Sequence, residues 1–179
     1  MARQVVAEAE AAARPAEQGA APAAGRASTV GIASDHGGFA LKEVLRRYLT
    51  EELGVSVRDF GPETDAPCDY PDFAAKVARA VASGECDRGI VVDGAGIGSA
   101  MAANKIAGVR AACCHDVATA INSRSHNGAN VLTLGSGVVG RGLARQMVRV
   151  WLATAFEGGR HERRVAKVME LEREWNAKS

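Results

Sequence analysis

No charge of one sign dominates this chain: 22 basic residues stand against 21 acidic ones, for a formal net charge of +1. General nucleic-acid binding rests on a basic excess, so that class is excluded. No apolar run approaches the ~20 residues that a membrane helix needs. The four cysteines, Cys68, Cys86, Cys113 and Cys114, form no CxxC pair and are too sparse for a disulfide-stapled scaffold. The expectation is free thiols in a reducing compartment and a cytoplasmic protein. No internal repeat is visible. What is present is 179 residues, 47% apolar and 24% charged, enough for one ordinary globular domain.

The chain divides at residue 28. Residues 1–28 are dominated by alanine. Ala2, Val5, Val6, Ala9, Ala12 and Ala13 follow one helical face, and Pro15 ends that helix because it has no amide hydrogen to donate. The stretch 15–28, rich in Ala, Pro, Gly and Gln, reads as a linker. Glu8, Glu10 and Glu17 argue against a mitochondrial presequence. Two readings stand: a disordered tail, or a short amphipathic docking helix on a tether. The second resembles the encapsulation peptides that carry enzymes into bacterial microcompartments, with a shell protein as partner.

From 29 to 179 the pattern is that of a single domain. Short β-branched runs predict strands at 29–33, 55–60, 89–92, 109–113 and 131–134. Between and after them, helical spacing marks 41–49, a segment opened by Pro71 with Phe73, Val77 and Val81 on its apolar face, 99–105, 117–124, 142–155 and 160–175. Alternating strand and helix implies a Rossmann-like, three-layer α/β domain: a five-stranded parallel sheet with helices on both faces. The run 89–92 lacks polar alternation, as in a strand covered on both sides. Ligands of such sheets bind beyond the carboxyl ends of the strands.

Polar motifs follow the strands. Asp35-His36 comes after the first, Asp93 and a glycine loop (Gly94, Ala95, Gly96, Gly98) after the third, His115-Asp116 after the fourth. His126-Asn127, before the fifth, is assigned to the same rim. Asp35 and Asp93 each serve equally well as a helix cap. The G-x-G-x-G loop differs from the G-x-G-x-x-G dinucleotide fingerprint and follows the wrong strand for it. It suits an anion, a phosphate or an enediolate oxygen, held by backbone amides at a helix start; a tight turn with no ligand is the alternative. Asp93 then reads as a general base if burial raises its pKa. Arg160 and Arg164 lie four apart, on one face of a helix, as a phosphate clamp or as a solvated basic surface.

The stretches SDHGGFALKEVL, DYPDFAAKVA, GAGIGSAMAANKIAGVRAA, CHD, HNGANVLTLG and FEGGRHERRV occur in that order over nearly the whole domain. With them the chain resembles the ribose-5-phosphate isomerase B family, which also includes the galactose-6-phosphate isomerase subunits. The resemblance implies aldose–ketose isomerisation of a phosphorylated sugar through a cis-enediolate, without metal or other cofactor. It implies a homodimer with shared sites, in which the C-terminal helix reaches the partner; dimers of such chains could pair into tetramers. Asp35 and His36 would contact sugar and phosphate, and Tyr70 would line the pocket. His126 would open the furanose ring, Asn127 would hold the enediolate, and Gly94, Ala95, Gly96 and Gly98 would form the anion hole. Arg160 and Arg164 would bind the phosphate across the interface.

Departures from the family are specific. Many members carry a cysteine base where Asp93 stands, and another branch uses a glutamate at the position of Ser99. Asp93 is therefore the candidate base here. Ala95 replaces a common hydroxyl residue, and Ser125 stands where an acidic residue often precedes the histidine. Cys113 and Cys114 match no catalytic position and are expected to be buried.

Overall fold

The computed structural model describes residues 29–177. The helix and linker expected at 1–28 lie outside the described residues. The elements run β1 (Thr29–Ser34), α1 (Phe39–Arg47, continued by a π-helical turn Tyr48–Glu52), β2 (Ser56–Asp59), α2 (Tyr70–Ala82), β3 (Arg88–Asp93), α3 (Ile97–Ala103), β4 (Ala111–Cys113), α4 (Val117–Ser125), β5 (Val131–Gly135), α5 (Arg141–Ala153) and α6 (Arg160–Asn176). The five strands pair in parallel in the order β2-β1-β3-β5-β4. This is the architecture expected from the alternation of strand and helix.

Side chains alternate across a strand, and here the alternation divides the core in two. Val30, Ile32, Ile90, Val92, Leu132 and Leu134 face one way, onto Leu41 and Leu45 of α1, Ala120 of α4, and Met147, Val148 and Trp151 of α5. Ala33, Val91 and Val131 face the other way, onto Val77, Ala78 and Val81 of α2 and Ala103 of α3. β1, β3 and β5 are apolar on both faces because both are covered.

Several element boundaries differ from the sequence pattern by a few residues, and two have visible side-chain causes. β4 starts at Ala111, later than expected: Asn130 Oδ1 accepts from the Arg110 amide at 2.7 Å. The helix expected at 99–105 starts at Ile97, because Asp93 reaches forward to cap it (below).

The carboxyl end of β1 is braced by a buried cation. Lys42 is 1% exposed, and its ammonium donates to both carboxylate oxygens of Asp59 (3.1 and 2.9 Å) and to the Pro62 carbonyl (2.8 Å). Asp59 in turn accepts from the Gly61 amide at 2.8 Å, and the Gly61 carbonyl accepts from the Ser34 amide at 3.0 Å. The ammonium of α1 thereby anchors the loop lying against the last residue of β1. Asp59 is 31% exposed and has Arg46 Nε 3.8 Å away, so losing the ammonium removes charged hydrogen bonds without stranding the carboxylate. Lys42→Ala should therefore lower unfolding stability by about 1.5–3 kcal/mol in chemical denaturation. A loss within ~0.5 kcal/mol, the usual range for surface substitutions, would refute the brace.

Candidate functional site

The expected residues fall into two groups, one at each end of the sheet. The first lies beyond the carboxyl ends of β1 and β3. Asp35 Oδ1 accepts from the Gly38 amide at 2.8 Å, so the carboxylate shapes its own loop. His36 is exposed, and its Nδ1 lies 3.3 Å from the Cys68 amide nitrogen and 3.1 Å from the Cys68 carbonyl. That contact brings the loop before α2 over β1. Tyr70 lies against Gly98: a Cβ there would come within 2.6 Å of the Tyr70 ring, so glycine is required for the approach. Ser136 Oγ donates to the Gly37 carbonyl at 2.9 Å, joining the loop after β5 to the same rim.

Asp93 is 4% exposed at the end of β3. Its Oδ1 accepts from the amides of Ala95, at 2.8 Å, and Gly96; its Oδ2 accepts from the Ser99 amide at 2.9 Å. Gly96 holds φ at +81°, a left-handed conformation that lets the loop close over the carboxylate. The amides expected to form an open anion hole at Ala95 and Gly96 are thus already bound to Asp93. Burial works to raise its pKa, but Ser99 and the amides of Gly96 and Ala95 outweigh it and hold the carboxyl below its ordinary value. The expected upward shift is corrected here: the charged form is stabilised by hydrogen bonds. A carboxylate offers about four lone-pair sites; the amides take three, and the Ser99 hydroxyl lies beside it as a further donor.

Cys113 departs from expectation too. Cys114 is buried, whereas Cys113 is half-buried beneath the glycine loop, its Sγ 3.6 Å from the Ala95 carbonyl and 3.7 Å from His115 Nε2. Desolvation, with Asp93 nearby, pushes its thiol pKa up.

The second group was assigned to the same rim, and the structure corrects that placement. His126 caps the carboxyl end of α4 and precedes β5, so it lies where strands begin. In a parallel sheet that is the opposite end from Asp93, on the order of 15 Å away at about 3.3 Å per strand residue. Around His126 the chain gathers residues that spacing alone did not single out. The His126 and His161 rings stack at 4.1 Å with 6° between planes. Glu157 Oε2 lies 3.6 Å from His126 Nε2 and 3.7 Å from His161 Nε2. Arg160 Nε faces His161 Nε2 at 3.3 Å. His161 is 6% exposed, and desolvation with the neighbouring His126 and Arg160 lowers its pKa. Arg164 lines a cavity of about 710 Å³ with Asn127 and with Val168, Leu171 and Trp175 of α6. Those last three side chains are 56%, 66% and 72% exposed, an apolar strip beside the phosphate-clamp residues.

His126, Glu157 and His161 bring three ligand atoms within 4.8 Å of one another. Rings stacked nearly parallel cannot both aim in-plane lone pairs at one ion, and Arg160 occupies His161 Nε2. The arrangement is a polar stack, not a ready chelate. His161 and Glu157 sit inside the FEGGRHERRV stretch, four residues apart, with Glu157 in the loop ahead of α6 and His161 in its first turn.

A carboxylate over a glycine loop and an Arg–His cluster, on a parallel α/β domain, are the parts of a sugar-phosphate isomerase. Comparison with known proteins makes the class definite. A family model described as Ribose/Galactose Isomerase matches residues 30–168. Ribose-5-phosphate isomerase B of Escherichia coli is 45% identical over 147 residues, 82% of this chain and 98% of that one. D-erythrulose-4-phosphate isomerase of Pectobacterium atrosepticum is 38% identical over 142 residues, 78% of this chain and 92% of that one. The solved structure of Clostridium thermocellum ribose-5-phosphate isomerase B superposes with a TM-score of 0.80 at 50% identity, covering 82% of this chain and 99% of that one. The chain belongs to the ribose/galactose isomerase family, and is a sugar-phosphate isomerase of its ribose-5-phosphate isomerase B branch. Among the described residues, no helix is long and apolar enough to cross a membrane.

The depressed Asp93 pKa has a consequence for stability. A carboxyl whose folded pKa lies below its unfolded value of about 3.9 stabilises the fold above that pH, and the contribution fades as pH falls through the folded value. Wild type should therefore exceed Asp93→Asn in stability at pH 7, and the gap should close below about pH 4. Equal stabilities at both pH values would contradict the amide-bound carboxylate.

Proposed function

We propose that the protein interconverts ribose 5-phosphate and ribulose 5-phosphate, with Asp93 as the base that moves a proton between C2 and C1. The observation that carries this reading is the separation of the two groups of residues. One end of the sheet holds a buried, charged carboxylate; the other holds imidazoles and guanidiniums. A second copy of the chain would bring the complementary end to each Asp93 loop. The exposed Val168, Leu171 and Trp175 strip supplies apolar surface for that copy to cover. The carboxyl end of the sheet in one chain then supplies Asp35, His36, Tyr70 and Asp93, and its partner supplies His126, Asn127, Arg160 and Arg164.

In this scheme the arginines fix the phosphate by charge-assisted contacts and so place the sugar carbons over the loop. His126 donates to the ring oxygen as the anomeric hydroxyl gives its proton to solvent, and the open aldehyde presents its C2 hydrogen to Asp93. Asp93 takes that proton, leaving a cis-enediolate, and returns it to C1 while the proton on O2 passes to O1, giving the ketose. A carboxylate with a lowered pKa is a weak acceptor. It stays ionised and ready across the physiological range, whereas a free thiol, with a pKa near 8.5, would be mostly protonated.

A second reading is favoured by one relative: the Pectobacterium protein is named for a four-carbon sugar phosphate. The open chain of such a substrate needs no ring opening, so Asp93 would act alone. A third is binding without turnover, favoured by the three amides already held by Asp93. A panel of four-, five- and six-carbon sugar phosphates separates them: ribulose 5-phosphate formed from ribose 5-phosphate supports the first, and calorimetric binding without product from any sugar supports the third.

Asp93→Asn should abolish exchange of the C2 hydrogen while sparing substrate affinity; retention of full activity would remove Asp93 from the reaction. Asp93→Cys should retain turnover but move the acid limb of kcat/KM upward, toward the thiol range. An unmoved limb contradicts the base assignment. Arg160→Ala and Arg164→Ala should each raise KM, since a hydrogen bond to a charged group contributes about 1.5–3 kcal/mol, roughly 10- to 150-fold in affinity. Unchanged KM in both variants would refute the clamp.

A further inference from the structure

Ser125 stands where the family often has an acidic residue beside the histidine, and it does not orient that ring: its Oγ donates backward to the Ile121 carbonyl at 3.1 Å. A different side chain occupies the role. Asn122 lies one helical turn before His126, and its Nδ2 is 2.8 Å from His126 Nδ1. The direction of that hydrogen bond is fixed by what lies behind it. Asn127 Nδ2 lies 3.3 Å from the Asn122 main-chain carbonyl and 3.3 Å from Asn122 Oδ1. A main-chain carbonyl can only accept, so the Asn127 group facing it is the amide NH2. The Asn122 atom facing that NH2 must then accept, and is its carbonyl oxygen. The remaining end of the Asn122 amide, turned to His126, is its NH2. His126 Nδ1 can receive that donor only as an unprotonated nitrogen.

We propose that Asn122 is a positioning residue, held by Asn127, which fixes His126 in the tautomer that carries its proton on Nε2. The proton then sits on the side facing Glu157 Oε2 at 3.6 Å and away from α4, where a ring oxygen of a closed sugar would receive it. The flat stack with His161 resists rotation of the ring that would exchange its nitrogens. The catalytic consequence rests on the ring-opening reading given above; the tautomer assignment does not. It also gives Asn127 a task besides the enediolate, since its amide nitrogen points into α4.

Two readouts on the full-length protein test this. The first is the tautomer of His126, from long-range proton–nitrogen correlation spectra of protein labelled with 15N-histidine. At pH 9 imidazoles are neutral, and the His126→Gln variant assigns the signal. Wild type should show Nε2–H. Asn122→Asp, nearly isosteric and exposed, turns the donor into an acceptor and should move the proton to Nδ1; Asn122→Ala should give a mixture. An Nδ1–H signal in wild type, or an unchanged tautomer in Asn122→Asp, overturns the proposal. The second readout is turnover of ribose 5-phosphate against a four-carbon aldose 4-phosphate, which has no free hydroxyl with which to close a furanose ring. Asn122→Asp should lose tenfold or more in kcat on the cyclic substrate with little change in KM, and less than twofold on the acyclic one. Equal losses on both substrates, with the tautomer shifted as expected, would keep Asn122 as the residue that sets the proton and would sink His126 as the ring opener.

Discussion

Every strand of this sheet runs the same way. A parallel sheet sends all its strand-to-helix loops to one end and all its helix-to-strand loops to the other, and no side chain can bridge the two. The Asp93 loop therefore belongs with Asp35, His36, Tyr70 and Ser136, and His126 belongs with Glu157, His161 and the arginines. On the proposed roles, proton transfer and phosphate binding are chemically one task, yet this topology divides them. The division is the physical reason to expect the working unit to be two chains, each completing the other.

In the proposed reaction Asp93 serves both fold and chemistry. Its carboxylate takes three amides that the turn into α3 leaves without helical partners, so the loop has its shape because an acceptor sits inside it. Those same amides keep the acceptor charged. A cysteine thiolate at this position, as in many relatives, would gain from the same donors, since both are compact anions in a nest of N–H groups. The replacement therefore changes the proton affinity of the base more than its place.

Much of this was legible in the sequence, for reasons that can be named. Apolar runs in β1, β3 and β5 without polar alternation marked a sheet covered on both faces, and the helix periods between them fixed its parallel order. The motifs SDHGG and GAGIG follow β1 and β3, and GGRHERR opens α6, as their order in the chain implied. His126 sits between α4 and β5, and in a parallel sheet that order alone puts it at the end opposite Asp93; grouping the two by polarity passes over the order. What could not be read was three-dimensional. Composition does not reveal that the amides of Ala95 and Gly96 are already spoken for, because the acceptor is two or three residues earlier and enters the loop from below. His161 and Glu157 were overlooked because an arginine pair offers the more obvious phosphate contact, while a stacked imidazole is recognised only from its neighbour. β4 starts late because the Arg110 amide goes to Asn130, a side-chain acceptor that no strand propensity takes into account.

The most direct test of the shared site mixes two chains that are each inactive for a different reason. One carries Asp93→Asn and the other His126→Ala. Neither alone can complete a site if each site draws Asp93 from one chain and His126 from its partner. Unfolded together and refolded in equal amounts, they should form mixed dimers in which one of the two sites holds both native residues, and activity should return to about a quarter of wild type, the share of intact sites under random pairing in a two-fold dimer. Activity no greater than the sum of the separate variants, in a preparation shown to contain mixed dimers, would mean that Asp93 and His126 do not act on one substrate across an interface.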